Sequence, residues 1–301
     1  VSRHLGIDLG GTNIKVAVLD RDGDGPPRVV AIDAGATRAE EGPEAVIARL
    51  GALGRAAMAA HGPVDTAGLG VPGLFDPREG RILLFPNLPG PWRGRRVVAP
   101  VSDALGMPVA LVNDVRAFSL AEVRMGAARG CDTVVCMALG TGVGGGLIVG
   151  GRLHLGLDGS AGEIGHQTVV PDGPLCGCGN RGCVEAVASA RAIAEDGGHP
   201  TVEAVIAAAE DGDPRARAAV ARAAGYLGIA LANAIVILSP DRVVIGGGIA
   251  AAGEALLEPI RAEVRRRVWL APAERIEIVP GELGSGAGAI GAALRGMEGD
   301  A

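Results

Sequence analysis

Aromatic side chains are nearly missing from this chain. Two Trp, one Tyr and three Phe make up 2% of its 301 residues, which leaves no platform on which successive bases could stack. Blocks of like charge are missing too. Lys and Arg number 28 against 34 Asp and Glu, a net charge of −6, so the basic footprint of a nucleic-acid binder is lacking. Long apolar runs are scarce. The longest, Leu227 to Leu238, contains Asn233, is too short for a membrane span and reads as a buried helix. Cysteine is sparse and odd in number, at 131, 136, 176, 178 and 183. That set argues against a disulfide framework and for a reducing, cytoplasmic setting. The chain opens on Val1-Ser2-Arg3-His4 and passes straight into strand-like sequence, which reads as having no signal peptide. Neither a nucleic acid nor a membrane is expected as a partner.

Other features are present in strength. Hydrophobic residues reach 48% and charged ones 21%, enough for a sizeable core, and the length suggests about two domains. Glycine is the anomaly, 50 residues where the usual share is about 7%. The glycines cluster after apolar runs, where a backbone can approach a ligand closely.

Residues 5–20 read as a β-hairpin joined by Gly10-Gly11-Thr12, because Ile14, Val16 and Val18 alternate. Helical spacing through Val46, Ile47, Leu50 and Leu53 marks 43–60. A strand follows at 67–71. Residues 76–100, with prolines 77, 86, 89, 91 and 100, read as an irregular loop. A strand at 109–112 then leads through Asn113-Asp114 into a helix at 115–125. The second half begins the pattern again: a strand at 133–139, a glycine turn over 140–146, and a strand at 147–149. This echo of the first hairpin predicts a duplicated supersecondary unit. Helices are expected at 184–196, 201–210, 214–238, about 250–268 and 287–295, and strands at 242–245 and 276–279. Strands alternating with helices define an α/β class.

Three glycine sites suggest phosphate, since oriented backbone N–H groups in a tight turn form an anion-binding concavity. Gly140-x-Gly142-x-x-Gly145 matches a dinucleotide fingerprint by letter but is followed by a strand instead of a helix. Gly246-x-Gly248-x-x-Ala251 has the strand-to-helix context and lacks the acidic residue about twenty positions on. No G-x-x-x-x-G-K-[ST] pattern exists, which excludes the common P-loop. Asp8 beside its glycine turn either holds Mg²⁺, directly or through water, or is an ordinary strand-end acid. Asp114, at the end of a strand, is placed to act as a base. Asn113-Asp114 also reads as a helix cap. Cys176-x-Cys178-x₄-Cys183, with His166 ten residues upstream, supplies the Cys₃His set of a closed, structural zinc site. Glu163 and Glu185 flank it, as substrate-facing groups or as solvated acids.

Taken together, DLGGT at 8–12, PNLPG at 86–90, ND at 113–114, LGTGVGGG at 139–146, GEIGH at 162–166, CGCGNRGCVE at 176–185 and GGG at 246–248 resemble the ROK sugar kinases. Within them the chain is similar to the bacterial glucokinases, and the similarity runs from residue 5 to about 295. The resemblance implies a two-lobed actin/hexokinase-like (ribonuclease H-like) ATPase fold with a central cleft. The expected lobes are 1–112 and 113–301, with the C-terminal helix packing back on the first. It implies ATP-dependent phosphorylation of a hexose, glucose first, with Asp114 as general base. Gly73, Asn113, Asp114, Glu163, His166 and Glu185 would bind the sugar, His166 through one ring nitrogen while the other meets zinc. Asp8, Gly10, Gly11, Thr12, Lys15, Gly140, Thr141 and Gly142 would hold the ATP phosphates and Mg²⁺, and Gly246, Gly247 and Gly248 the nucleoside. Cys176, Cys178 and Cys183 would complete the zinc site. A homodimer or higher homo-oligomer is implied. The alternatives are a kinase for another sugar, such as N-acetylmannosamine or fructose, or a non-catalytic sugar-sensing member. Two positions depart from the usual family pattern: Pro91 precedes Trp92, and Val115-Arg116-Ala117-Phe118 stands where Ala-Asn-Ala-Ala is common. Arg116 either reaches toward sugar, phosphate or an acid such as Glu122, or faces solvent.

Overall fold

The computed structural model describes residues 1–85 and 88–299, so Pro86 and Asn87 of the PNLPG motif lie outside the described residues. The first strands are the expected hairpin. β1 (Ser2–Leu9) and β2 (Asn13–Arg21) pair antiparallel, and Gly10 N–H closes their turn on Asn13 O at 3.1 Å. β3 (Arg28–Ala36) extends the ribbon. Helix α1 (Pro43–His61) starts on a proline and buries Val46, Ile47 and Leu50, as its apolar spacing requires. It leads to β4 (Thr66–Val71), which joins β1 in parallel. A small hairpin, β5 (Leu74–Asp76) with β6 (Arg81–Leu84), precedes α2 (Val98–Leu105), β7 (Val109–Asn113) and α3 (Asp114–Arg124). The resulting sheet has the order β3-β2-β1-β4-β7.

The pattern then repeats. β8 (Val134–Leu139), β9 (Val143–Val149) and β10 (Arg152–Leu153) form an antiparallel ribbon. Four helices follow: α4 (Val184–Ala188), α5 (Ala190–Gly197), α6 (Val202–Glu210) and α7 (Pro214–Leu238). β11 (Arg242–Gly246) lies parallel to β8, α8 (Glu254–Arg267) crosses over, and β12 (Glu277–Pro280) pairs with β11. This sheet has the order β10-β9-β8-β11-β12. Order and strand sense match the first sheet, as the echo between the two glycine hairpins predicts. Helix α7 is long and apolar enough to cross a bilayer by length and composition, yet Leu227, Leu231 and Ile235 on it are core residues of this half.

The chain ends in α9 (Ala287–Glu298), which packs on β1, β4 and α3. Two compact units result. One holds Val1–Gly126, Leu157–Gly159 and the residues from Ser285 onward; the other holds Ala127–Gly156 and Ser160–Gly284. The first unit therefore extends past the boundary expected at 112/113, because α3 packs on α9.

Four local expectations are corrected. Residues 76–100 are not wholly irregular: they hold the end of β5, β6 and the start of α2, since Ile82 and Val97 are core positions. The second glycine turn is only Gly140 to Gly142, and Gly144, Gly145 and Gly146 lie within β9. The helix expected over 184–196 breaks at Ser189, whose side chain caps α5. The one expected from about 250 begins at Glu254, after a 3-10 turn that ends at Gly253 with φ +59°.

Candidate active site

In the first unit three parallel strands end at one edge. Register sets Asp8 against Gly70 and Val71 against Asn113, so Asp8, Asn113 and Asp114 collect where α/β sheets hold their ligands. The Asp8 carboxylate is wedged between glycines. Gly70 lies below Oδ1, and a Cβ on Gly288 of α9 would collide with Oδ2. Oδ1 is sealed from solvent without a hydrogen-bond donor. Burial, reinforced by the charge of Asp114 and opposed by Lys15, pushes the Asp8 carboxyl up to about 7. An orphaned carboxylate oxygen beside a glycine turn fits a divalent cation or its water shell. Lys15 stands across the ribbon from Asp8 and donates to Ser285 O at 2.6 Å. Gly11 and Thr12 are exposed at the tip of the turn.

Asn113 is the N-cap of α3. Its Oδ1 accepts the N–H groups of Val115 and Arg116 at 3.0 and 3.3 Å, and its Nδ2 donates to Gly73 O at 3.1 Å. The cap reading therefore holds for Asn113. Asp114, the first helical residue, accepts Val115 N–H on Oδ1 at 2.9 Å. Arg116 does not face solvent: it is 5% exposed, with Nη1 beside Gly159, and Glu122 on the same helix is fully buried.

In the second unit the turn Gly140-Thr141-Gly142 is closed by Gly140 N–H on Gly142 O at 2.9 Å. Gly247, at φ +88°, lies on the strand that feeds this turn, and a Cβ there would overlap the Leu139 backbone. The Gly246–Gly248 loop and the Gly140–Gly142 turn thus share one corner. Beyond the loop opens an apolar cavity of about 230 Å³, lined by Ile249, Ala252 and Leu256 together with Ile193, Val202 and Ile206.

The cysteine loop meets His166 in the same unit. The ligand atoms of His166, Cys176, Cys178 and Cys183 all lie within 4.8 Å of one another. Cys176 Sγ is 3.7 Å from His166 Nδ1, and Cys178 Sγ is 3.7 Å from Cys183 Sγ. Around a tetrahedral ion with Zn–S bonds of about 2.3 Å, sulfur atoms stand about 3.8 Å apart, so the four side chains fit zinc. None of the five cysteines is in a disulfide. Burial pushes the Cys176 thiol up to about 12 and raises Cys183, while a hydrogen bond from the Asn180 backbone lowers Cys178. With Nδ1 turned to the sulfurs, His166 Nε2 points the other way, 3.9 Å from Glu163 Oε2. Glu185 is no solvated acid. Its Oε2 accepts Val143 N–H at 3.0 Å, and Cys176 Sγ donates to its Oε1 at 3.8 Å.

Residues that sequence reasoning missed are mostly backbone or glycine: Gly70 and Gly288 around Asp8, Gly165 against β9, and the Val143 amide. Within GEIGH the second glycine was a usable signal, since a glycine next to a ligand-type histidine marks a close backbone approach.

Two sheets of one strand order, each led by a glycine hairpin, define an actin/hexokinase-like protein. The family model described as the ROK family matches residues 4–295, and the chain belongs to that family. It is 36% identical to the glucokinase of Thermotoga maritima over 96% of this chain and 95% of that protein. Among solved structures it is similar to the ROK hexokinase from Thermus thermophilus, with a TM-score of 0.84 and 37% identity over 98% of both chains. It is also similar to a ROK family glucokinase from Streptomyces griseus in complex with glucose and AMPPNP. There the TM-score is 0.83 and the identity 32%, over 99% of this chain and 100% of that chain.

Proposed function

We propose that this protein is an ATP-dependent hexose kinase and that glucose is its first substrate. The observation that carries the reading is Asp8 and Asp114 at one sheet edge, near enough for one charge to raise the other's pKa. Phosphoryl transfer asks little covalent chemistry of a protein. It asks for aligned phosphates, a neutralising cation and a group to take the hydroxyl proton. Asp114 takes that proton, held in place by the α3 backbone and the Asn113 cap. The amides of Gly10, Gly11, Thr12, Gly140, Thr141 and Gly142 hold phosphate oxygens, and Lys15 adds positive charge from its anchor on Ser285. Mg²⁺, when bound near Asp8, offsets the charge on the transferring phosphoryl group. The Gly246–Gly248 loop takes the nucleoside, and the neighbouring apolar cavity suits a flat nucleobase. Glu163, His166 Nε2 and Glu185 Oε1 receive sugar hydroxyls, and Gly73 and the remaining Asn113 N–H line the same substrate. A coupled assay of ATP consumption over glucose, fructose and N-acetylmannosamine tests this. Turnover with glucose is expected. Sugar binding without ATP consumption for any of the three would favour the sensing reading.

The donor set supports one structural zinc per chain, on His166 Nδ1, Cys176, Cys178 and Cys183. Elemental analysis of protein purified without added metal is expected to give close to one zinc per chain, and chelation to loosen residues 160–185. Full activity with no metal would overturn the assignment. A homodimer fits the exposed Trp269 and Leu270, and five cysteines outside any disulfide support a cytoplasmic location.

A further inference from the structure

The phosphate-type turn of the second unit has almost no bonds of its own. Apart from Gly140 N–H on Gly142 O, its ends are gripped from outside. At one end Ala190 N–H, opening α5, donates to Gly140 O at 3.0 Å. At the other, Val143 N–H donates to Glu185 Oε2 at 3.0 Å. The fit there is close, since a Cβ on Gly142 would collide with that oxygen, and a Cβ on Gly165 would overlap the Val143 carbonyl. These gripping residues adjoin the metal-type cluster. Gly165 precedes His166. Glu185 follows Cys183 by two positions, and its second oxygen lies 3.8 Å from Cys176 Sγ. The cluster is itself tied together, by Val184 N–H on Gln167 O at 3.0 Å and Cys183 Sγ against His166 O at 3.5 Å.

We infer that Glu185 is a positioning residue that couples the His166, Cys176, Cys178 and Cys183 cluster to the Gly140–Gly142 turn, so that metal loading of the cluster sets nucleotide affinity. The nucleotide half of this inference rests on the kinase reading above. A turn that must present N–H groups to phosphate binds more tightly when those groups are fixed beforehand. Here one carboxylate does the fixing: Oε2 holds the amide at the end of the turn, and Oε1 faces the cysteine loop. When the loop loosens, α4 and Glu185 move with it, and Val143 loses its acceptor. A residue serving only sugar hydroxyls would leave the turn unaffected.

The test is amide hydrogen exchange at Val143 in the full-length chain, as loaded protein and after chelation. In Glu185→Ala the Val143 amide is expected to exchange about tenfold faster, the effect of losing one part-buried acceptor. Glu185→Gln keeps an oxygen for that amide and is expected to stay within about threefold of the parent. Chelating the parent protein is expected to speed Val143 exchange, and chelating Glu185→Ala to add little. Val244, at the centre of the same sheet, reports global unfolding and is expected to stay unchanged. Unaltered Val143 exchange in Glu185→Ala, or in the chelated parent, overturns the coupling, as does equal acceleration at Val244. Calorimetry with Mg-AMPPNP reads the nucleotide half. Affinity is expected to fall about tenfold in Glu185→Ala and on chelation, and to return in Glu185→Gln. Unchanged affinity alongside faster Val143 exchange overturns that half. Failure of the loaded parent to bind nucleotide at all removes the kinase reading, while the exchange data still decide the coupling.

Discussion

Asp114→Asn lowers kcat by about 10²–10⁴-fold, the range expected for loss of a general base, and leaves sugar affinity within a few-fold. The substitution is close to surgical. An amide oxygen still accepts Val115 N–H, which Asp114 Oδ1 receives at 2.9 Å. Asn113 still caps α3 through Val115 and Arg116, so the helix start is held by a second side chain. What disappears is the ability to accept a proton, together with one negative charge. That charge helps to raise the Asp8 carboxyl, so Asp8 ionises more readily in the variant and cation binding does not weaken for want of a carboxylate. Steady-state kcat measured beside calorimetric sugar affinity checks the expectation. A kcat close to that of the parent would move the base to another residue.

Gly68→Ala is expected to destabilise the first unit by about 3 kcal/mol, the upper part of the usual range for overpacking a tight interior. The reason is the closeness of α9 to the sheet. Gly68 of β4 and Gly6 of β1 have no side chains, and the α9 backbone lies directly over them. A Cβ at Gly68 would overlap Ala292 O, and one at Gly6 would overlap Ala289 O. On the far side of the helix, Gly291 meets the Ala117 carbonyl of α3 in the same way. The obstructing atoms are backbone, apart from the Cβ of Ala293 over Gly6, so rotamer changes bring no relief and the helix itself must shift. Gly225 in α7 serves as the control, because nothing lies within 4 Å of a Cβ there. Gly225→Ala is expected to be neutral or stabilising by up to about 1 kcal/mol. Chemical denaturation of both variants separates the cases, and equal midpoints would show that α9 is not so closely seated.

The paired architecture was legible because two apolar runs around a glycine turn recur some way down the chain, and period-two alternation survives in both. The cysteine spacing predicted the cluster itself, since His166, Cys176, Cys178 and Cys183 do bring their ligand atoms within 4.8 Å of one another. The failures have a common physical origin. Gly144, Gly145 and Gly146 look like turn residues and are strand residues, because Gly145 lies face to face with the Gly162 backbone, a tertiary contact that overrides local propensity. Ser189 interrupts a helical pattern that periodicity alone would continue, since capping α5 competes with extending α4. Arg116 looked as fit for the surface as for the interior, because a side chain's burial depends on what packs against its helix from elsewhere in the chain. Glu185 was legible as an acid flanking the cysteine loop, but its hold on Val143 was not, because a backbone amide carries no sequence signature.

The position of α9 has a consequence for how the molecule is made. The second unit is almost one continuous stretch of chain, whereas the first lacks its sheet-covering helix until residues 287–298 arrive. During synthesis the strands carrying Asp8 and Asn113 emerge well before α9, and the glycine faces of β1 and β4 wait for a partner encoded far downstream. Contacts of such long sequence separation form slowly, and N-terminal segments usually fold before the rest is made. Here the earlier-made strands mature only once the later-made helix is out, and their exposed interval lasts as long as translation of everything between.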